Sequence, residues 1–538
     1  MVRGAVVVDG SGAEPRPGAV RVGAEGTITD LAPDLRPDAG EAVVDAGGRA
    51  LAPGFVDLHS HSDLYSLART GPGAPVGDEP KLLQGCTTQV YGQDGISAAP
   101  VDDRDVVDYA PAIAGLDGEL EPARWTWRSF GEYLAVLRST SATRPVGLVG
   151  HSTIRRLVIG TEARPATSGE LLAMRAAIAR SMAEGAAGVS TGLVYVPAAY
   201  ADTAELIALC EETAAHGAPF FVHVRSESDG VVEATEEILE VAHRTGVHLH
   251  YSHLKTAGRS NWSKLGAVLE LIDDYRTRGV TVTADAHPYI AGSTTAQVLL
   301  PPWVLDGGTD AALARLSDPA ARARIRSQLL GDTTSWDNWF AFSDGWPGLS
   351  VSGATRPGVV GLSFADVIAN AGVGDLDAPE AFDVVFDLLA EERLSVSLVS
   401  FNNCEANVAR VLGQPYTSIC TDGLVNPTGT PHPRLYGAFA RVLGRFVREL
   451  GALSLPEAVR AMTARAAAVV GRADLGRIAT GAVADLVLFD PDTIEDRATF
   501  EAPRAAPAGI AGVWVAGRRV VTDAVLAEEV PPVEPDAA

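Results

Sequence analysis

The stretch Ala52-Pro-Gly-Phe-Val-Asp-Leu-His-Ser-His-Ser-Asp63 predicts how this chain is built. Its apolar run, Phe55-Val56-Asp57-Leu58, is typical of a short buried strand, and it leads directly into His59-x-His61. Residues i and i+2 of a strand point to the same face, so two imidazoles leave the end of one strand side by side. That spacing suits two ligands of one metal ion. Histidines are common on surfaces and in cores, so the metal interpretation needs further ligands elsewhere in the chain.

Downstream of this motif, predicted strands alternate with predicted helices. Such alternation indicates an α/β fold with a parallel sheet and helical crossovers, and eight units would close a (β/α)8, TIM-like barrel. A doubly wound open sheet is the alternative, but no GxGxxG opens a helix after the first strand. The candidate strands are 55–61, 88–93, 146–150, 187–193, 219–224, 248–253, 280–286 and 417–421, and the helices include 168–184 and 203–216.

Both ends of the chain carry short β-branched strands separated by Gly, Pro and Asp turns. We expect residues 1–52 and 477–530 to form one small β-sandwich, although two unrelated β caps would also fit the pattern. The barrel would then span 53–476. Residues 290–416 are too long for one crossover and predict a large insertion near the barrel mouth, with tryptophans that suit either a lid or a separate aromatic core.

Three further candidate ligands end predicted strands. His223 and His253 close two of the middle strands, and Asp422 closes the last one. Because active sites in such barrels lie where the strands end, we expect these side chains to converge with His59 and His61. Imidazole with carboxylate fits zinc best, and iron, manganese or cobalt would also fit. The other histidines considered, which we interpret as structural, are His216, His243, His248 and His250.

Several sequence blocks run in order through nearly the whole chain. They are Gly192-Leu-Val-Tyr195, Phe221-Val-His-Val-Arg-Ser-Glu227, Ser252-His-Leu-Lys-Thr-Ala-Gly258, Pro288-Tyr-Ile-Ala-Gly-Ser-Thr294, Thr421-Asp-Gly423 and His432-Pro-Arg-Leu-Tyr-Gly437. Together with the His-x-His they resemble the amidohydrolase superfamily, and within it the N-acyl-D-amino-acid deacylases, or D-aminoacylases. The resemblance implies a metal-dependent barrel enzyme that cleaves linear amide bonds.

One position departs from the family pattern. Related deacylases usually have a cysteine metal ligand after the second strand, where this chain reads Gly92-Gln-Asp-Gly-Ile-Ser97. Asp94 is therefore our candidate substitute ligand, with a turn or supporting role as the alternative. Cys86 begins the second strand, at the end opposite to Asp94, and therefore cannot be the family's cysteine ligand. None of the three lysines lies near 187–196, so a carboxylated-lysine bridge is not expected, and either a bridge by Asp94 or a single metal is favoured.

The predicted chemistry follows from these ligands. A divalent metal activates water and polarises a carbonyl, and Asp422 is placed to accept the proton from that water and pass it to the departing amine. The resemblance implies that Lys255, Tyr289 and Arg434 hold the free carboxylate of the substrate, and His287 could also touch it. We expect deacylation of N-acyl-D-amino acids to a carboxylate and a D-amino acid; the D-configuration rests on resemblance alone. The alternatives are hydrolysis of a cyclic amide, or of a non-amino-acid amide or carbamate, and a non-catalytic homologue.

Composition limits the partners and the cellular compartment that we expect for this protein. The net charge of −25, from 68 acidic and 43 basic side chains among 538 residues, argues against a nucleic-acid partner. No apolar run reaches membrane-spanning length, so no membrane partner is expected. The four cysteines form no CxxC pair and the N-terminus does not resemble a signal peptide, which together predict a cytoplasmic protein. A homo-oligomer is left open by the sequence, as are the substrate side chain and the number of metal ions.

Overall fold

The computed structural model describes residues 1–67, 77–331, 336–426 and 428–533. Its centre is a parallel eight-stranded sheet whose strands follow one another in chain order. The predicted barrel is thereby confirmed, and each predicted strand overlaps an observed one. The barrel strands are β1 (Phe55–Asp57), β2 (Cys86–Tyr91), β3 (Arg144–Gly150), β4 (Gly188–Gly192), β5 (Pro219–His223), β6 (His248–Tyr251), β7 (Val282–Ala286) and β8 (Thr417–Ile419).

The barrel closes just beyond the ends of β1 and β8. There, Ser60–His61 pairs in parallel with Gly423–Leu424. The backbone N–H of Asp422 donates to the carbonyl of His59 over 2.8 Å, which continues the same seam. Closure therefore happens at the segment that carries the His-x-His motif and Asp422, and it sets these residues beside each other.

Helices cover the outside of the barrel, and their starts follow local capping chemistry. Thr167 and Glu170 form a capping box at the start of Ser168–Ala183, and Asp202 caps Thr203–Ala215. These are the two helices that the apolar spacing predicts. The remaining helices around the barrel are Glu79–Leu83, Asp103–Asp117, Phe130–Thr140, His151–Ile159, Val231–Thr245, Leu265–Thr277, Glu405–Leu412, Arg434–Arg441, the π-helix Val442–Glu449, Leu455–Met462 and Ala464–Val469.

Both chain ends contribute to one mixed nine-stranded sheet. The two halves join where Ala50–Pro53 pairs antiparallel with Leu486–Phe489, and a small apolar core lies on this sheet. The union of the two ends is as predicted, whereas the domain bounds stay a prediction. The other strands are Val2–Val7, Arg16–Val22, Ile28–Ala32, Val44–Asp45, Ile510–Val515, Arg518–Thr522 and Val525–Leu526.

The long segment between β7 and β8 has its own sheet and core. Three antiparallel strands, Ala291–Thr295, Leu349–Gly353 and Ser397–Phe401, pack with helices against an apolar cluster that contains Trp339, Phe340 and Trp346. The helices of this insertion are Thr309–Leu316, Pro319–Gly331, Trp339–Phe342, Phe364–Asn370 and Pro379–Glu391. No helix within the described ranges is long and apolar enough to cross a membrane.

Candidate metal centre

Six predicted ligands meet where the barrel strands end. His59 and His61 follow β1, Asp94 follows β2, and the remaining three end or follow β5, β6 and β8: His223, His253 and Asp422. All six side chains are buried. Parallel strands carry their C-terminal residues to one rim of a barrel, which is why ligands separated by more than 350 residues lie together.

Asp94 lies among all four histidines. Its Oδ1 is 3.6 Å from His59 Nε2 and 3.5 Å from His253 Nε2. Its Oδ2 is 3.6 Å from His61 Nε2 and 3.5 Å from His223 Nδ1. Each oxygen of this carboxylate thus approaches two imidazoles, and the side chain as a whole approaches all four.

A second group of donors adjoins the first. Asp422 Oδ1 is 3.6 Å from His61 Nε2 and 3.8 Å from His59 Nε2, and the two Nε2 atoms are 3.2 Å apart. Donor atoms of His59, Asp94 and His253, and likewise of His59, His61 and Asp422, lie close enough to hold one ion. A third such set contains His223, His253 and Glu227.

The chemistry of these six side chains, taken by itself, fits a metal ion. Within the described ranges, Asp94 Oδ1 and both ring nitrogens of His223 are buried and make no hydrogen bond. Buried polar atoms normally have partners, and an unpaired one costs about 1–3 kcal/mol. Four imidazoles with two carboxylates are ligands that zinc prefers.

Three of these residues have unusual backbone conformations. The φ angles of Asp94, His253 and Asp422 are 54°, 35° and 49°, in the left-handed region that costs a non-glycine residue about 1–3 kcal/mol. The turn after β2 is crowded: a Cβ on Gly95 would lie 2.9 Å from the backbone N of Gly192. The surrounding fold thus keeps these three residues in a backbone conformation that they would not favour by themselves, and so keeps their side chains at the barrel rim.

Two further carboxylates stand behind the first histidine pair. Asp117 Oδ1 lies 3.0 Å from His61 Nδ1. Asp285 Oδ2 lies 3.7 Å from His59 Nδ1 and accepts a hydrogen bond from His250 Nε2 at 2.9 Å. A carboxylate on the far nitrogen fixes the ring and raises its basicity as a ligand. His250 stays outside the donor cluster, as expected, but it holds Asp285.

The second histidine pair meets a buried ion pair instead. Lys255 Nζ donates to Glu227 Oε1 over 2.6 Å and lies 2.9 Å from His253 Nδ1. Glu227 Oε1 is 3.0 Å from the same His253 nitrogen, and its Oε2 is 3.9 Å from His223 Nε2. Lys255 is therefore at the rim, where the sequence places it, but it is engaged by a glutamate to which the sequence analysis gave no role.

The other residues predicted to contact substrate are Arg434, His287 and Tyr289, and the first two approach the Oδ2 atom of Asp422. Arg434 Nη1 is 2.7 Å from Asp422 Oδ2, and its Nη2 donates to the carbonyl of Ser293 over 3.0 Å. His287 Nε2 is 3.8 Å from Asp422 Oδ2. The Tyr289 hydroxyl donates to Asp496 over 3.3 Å.

Burial and neighbouring charges set the protonation of the centre. Burial acts to raise the pKa of Asp94, but His253, His59 and His223 lower it well below its usual range. Burial and Lys255 act to lower the pKa of His253, whereas Glu227 and Asp94 raise it to about 10. Burial lowers the pKa of His61, which favours the neutral ligand form. A cation that enters this centre would therefore displace protons.

Sequence reasoning missed three of these carboxylates. Asp117 ends a helix and is 56 positions from His61, so no local spacing connects them. Glu227 lies inside a quoted block without a stated role. Asp285 carried a signal, because a carboxylate within the apolar strand β7 needs a buried partner.

Comparison with known proteins shows the family to which this chain belongs. The Amidohydrolase family model matches residues 42–329 and 367–521. A D-aminoacylase from Alcaligenes xylosoxydans xylosoxydans is 34% identical over 522 residues, which cover 97% of this chain and 94% of the relative.

Two solved structures are similar along nearly the whole chain. One is an N-acyl-D-glutamate deacylase from Bordetella bronchiseptica complexed with zinc and a phosphonate inhibitor, with a TM-score of 0.77 and 31% identity, covering 96% of this chain and 95% of that one. The other is a D-aminoacylase, described through the role of its binuclear metal center, also with a TM-score of 0.77 and 31% identity, covering 98% of both chains.

Proposed function

Because this chain belongs to the amidohydrolase family, we propose that it is a metal-dependent deacylase that converts N-acyl-D-amino acids to a carboxylate and a free D-amino acid. The observation that carries the proposal is the buried donor cluster in which Asp94 faces His59, His61, His223 and His253. Relatives that match nearly the full chain are deacylases of this kind, which supports the linear amide as the bond cleaved.

We assign the metal to residues already described. One or two zinc ions would be held by His59, His61, Asp94, His223, His253 and Asp422, because one of the two similar structures is complexed with zinc and the other is described as having a binuclear metal center. A bound ion of this kind polarises a carbonyl and makes water nucleophilic near neutral pH. The carboxylate of Asp94 takes the place that thiolate has in the family pattern, and as a harder ligand it suits a wider range of divalent metals.

Asp422 is the proposed proton carrier. Burial acts to raise its pKa, but Arg434, His59 and His253 lower it, so the carboxylate is ionised and able to accept a proton. Its Oδ1 faces the histidines and its Oδ2 faces Arg434. It can thus take a proton on the metal side and deliver it to the leaving nitrogen, which is general base and then general acid catalysis.

This role predicts the behaviour of one variant. Asp422→Asn should lower kcat/KM by about 10²–10⁴-fold, the usual contribution of a general base. Metal held by the five other proposed ligands should remain, as measured by elemental analysis. Full activity in Asp422→Asn would remove Asp422 from the mechanism.

The substrate carboxylate needs cationic partners, and two buried cations stand at the rim. Lys255 has three N–H donors, one of which donates to Glu227. Arg434 offers a planar fork that suits a carboxylate. We propose Lys255, Arg434 and Tyr289 as the carboxylate-binding residues; the Tyr289 hydroxyl would have to exchange Asp496 for the substrate.

The test combines metal content with a substrate panel. The purified protein should contain zinc, hydrolyse N-acetyl-D-amino acids in preference to the L-forms, lose activity to a chelator and regain it with added divalent metal. Bound metal without cleavage of any acyl amino acid would redirect the search to cyclic or other amides. Absence of metal binding would overturn the hydrolytic proposal altogether.

A further inference from the structure

A cavity of about 420 Å³ lies between the barrel rim and the insertion. From the barrel it is lined by residues that follow β2, β3 and β4, namely Ile96, Ser152 and the segment 193–197. From the insertion it is lined by Val298, Leu300, Leu305 and Leu394, among others. We call this space the acyl cavity. Its volume lies within the range of about 300–1,000 Å³ that is typical of small-molecule sites.

The acyl cavity borders the metal centre. Ile96 is two positions after Asp94, and Leu193 donates its N–H to the carbonyl of His223 over 3.0 Å. The ring of Tyr195 stands edge-on to the ring of His223 with 5.3 Å between centroids, and its hydroxyl is held by Thr294 at 2.8 Å. Tyr195 is thus part of the cavity wall and of the surroundings of the metal centre at once.

The charged groups on the cavity wall have partners of their own. Arg393 pairs with Asp310 at 2.9 Å, and Arg225 pairs with Glu237 at 3.1 Å. Asp337 accepts hydrogen bonds from the hydroxyl of Ser226 and the N–H of Glu227. Arg156 lies over the ring of Tyr109, with 5.0 Å to the ring centroid. Aliphatic side chains form much of the remaining wall, beside polar groups such as Ser152, Thr161 and Thr295, so the cavity suits an occupant that is largely but not wholly apolar.

The position of the cavity indicates which end of the substrate enters it. Lys255 and Arg434 follow β6 and β8, which flank β7, while the cavity lies over β2 to β4 on the opposite side of the barrel mouth. The carboxylate and the side chain of an amino acid share one carbon atom and must lie on the same side. The acyl group extends from the nitrogen in the other direction, across the metal centre and toward Tyr195.

We propose that the acyl cavity receives an extended apolar acyl group, and that this chain prefers medium-chain acyl amino acids, such as octanoyl derivatives, to acetyl ones. The inference rests on the proposed deacylase function and names the substrate class of that site. Each methylene buried in the cavity should raise kcat/KM by about two- to fourfold until the space is filled.

The test is a chain-length series on the metal-loaded protein. Acetyl, butyryl, hexanoyl and octanoyl derivatives of one D-amino acid are compared by kcat/KM. We expect a rise along the series in the wild type. In Leu305→Trp, which fills the cavity from the insertion, the rise should disappear while acetyl hydrolysis is unchanged. Leu313→Trp is the matched control, because Leu313 is also a half-buried insertion residue but does not line the cavity.

A binding measurement separates failure of this inference from failure of the proposed function. Octanoate should bind more tightly than acetate by calorimetry, and Leu305→Trp should abolish the difference. Hydrolysis of acetyl substrates with a flat or falling chain-length profile overturns the acyl preference and leaves the deacylase proposal intact. If no acyl amino acid is cleaved, the deacylase proposal fails, and equal binding of octanoate and acetate would then overturn the cavity assignment as well.

Discussion

The two histidine pairs of the metal centre are held in different ways. Behind His59 and His61 lie two carboxylates, Asp285 and Asp117. Asp285 also accepts a hydrogen bond from the backbone N–H of His253 over 2.6 Å. Of the second pair, His253 Nδ1 lies 2.9 Å from Lys255 Nζ and 3.0 Å from Glu227 Oε1, and neither ring nitrogen of His223 makes a hydrogen bond within the described ranges. The first pair is therefore positioned by carboxylates from strand β7 and from the end of the helix Asp103–Asp117. The second is coupled to groups that we assign to substrate binding.

Among the six proposed ligands in the described ranges, Asp94 is the one that approaches both pairs, so its removal should have the largest effect. Asp94→Ala should lose bound metal and reduce kcat/KM by about 10⁴-fold or more, because a metal ion supplies several kcal/mol of transition-state stabilisation as well as the nucleophile. Elemental analysis and steady-state kinetics measure both.

Asp94→Cys is the matched control for this loss. A thiolate restores a ligand of the type expected in the family, so this variant should keep metal with a shifted preference toward softer ions. Full metal content in Asp94→Ala would mean that the two pairs bind independently of Asp94, and the view of a shared ligand would be wrong.

The carboxylate behind the first pair predicts a smaller change. Asp117→Asn replaces the carboxyl group that lies against His61 Nδ1 with an amide, and metal affinity should fall by about 10–100-fold, the usual effect of a partner of a ligating histidine. Competition with a chelator of known affinity measures it. Glu205→Gln is the control, because Glu205 is an equally buried carboxylate on a histidine, His151, outside the donor cluster. Equal loss in both variants would indicate general destabilisation.

How much of this centre the sequence reveals depends on how each residue is positioned. His223, His253 and Asp422 could be predicted because each terminates a barrel strand, and strand ends meet at one rim. Asp94 needed the family pattern as well, since its left-handed turn after β2 has no distinctive spacing. Asp117 could not be predicted, because a helix end and a strand end approach each other only through tertiary packing.

In the fold, too, some elements could be predicted from the sequence and others could not. The barrel strands were predictable from alternation, and the union of the chain ends from repeated β-branched strands. Within the insertion, the strand Leu349–Gly353 pairs with Ser397–Phe401, more than forty positions later. Such pairing is decided by long-range contacts rather than by local propensity. The helix Glu405–Leu412, which the sequence analysis left inside the insertion, packs beside β7 and β8.

Lys255 lies beside His253 of the second pair and is proposed to bind the substrate carboxylate. Lys255→Met should raise KM about tenfold, because it removes a charge-assisted hydrogen bond to the substrate carboxylate, while metal content stays the same. Lys264→Met is the control, since Lys264 donates to the carbonyl of Asp229 and belongs to no donor set. Loss of metal in Lys255→Met would show that the lysine supports His253 as a ligand rather than the substrate.

The smallest change is expected from the cysteines, which test whether Asp94 has replaced a thiolate. Cys86 donates its thiol to the carbonyl of Thr88 at 3.1 Å, and Cys420 lies 3.4 Å from Asp285. Burial raises the pKa of both thiols well above the usual range, and neither cysteine belongs to a donor set within the described ranges. Cys86→Ala and Cys420→Ala should therefore keep the metal content and kcat/KM of the wild type, with destabilisation of about 1 kcal/mol. If either variant lost its metal, that thiol would be a ligand, and Asp94 would be a partner of the histidines rather than the ligand that joins them.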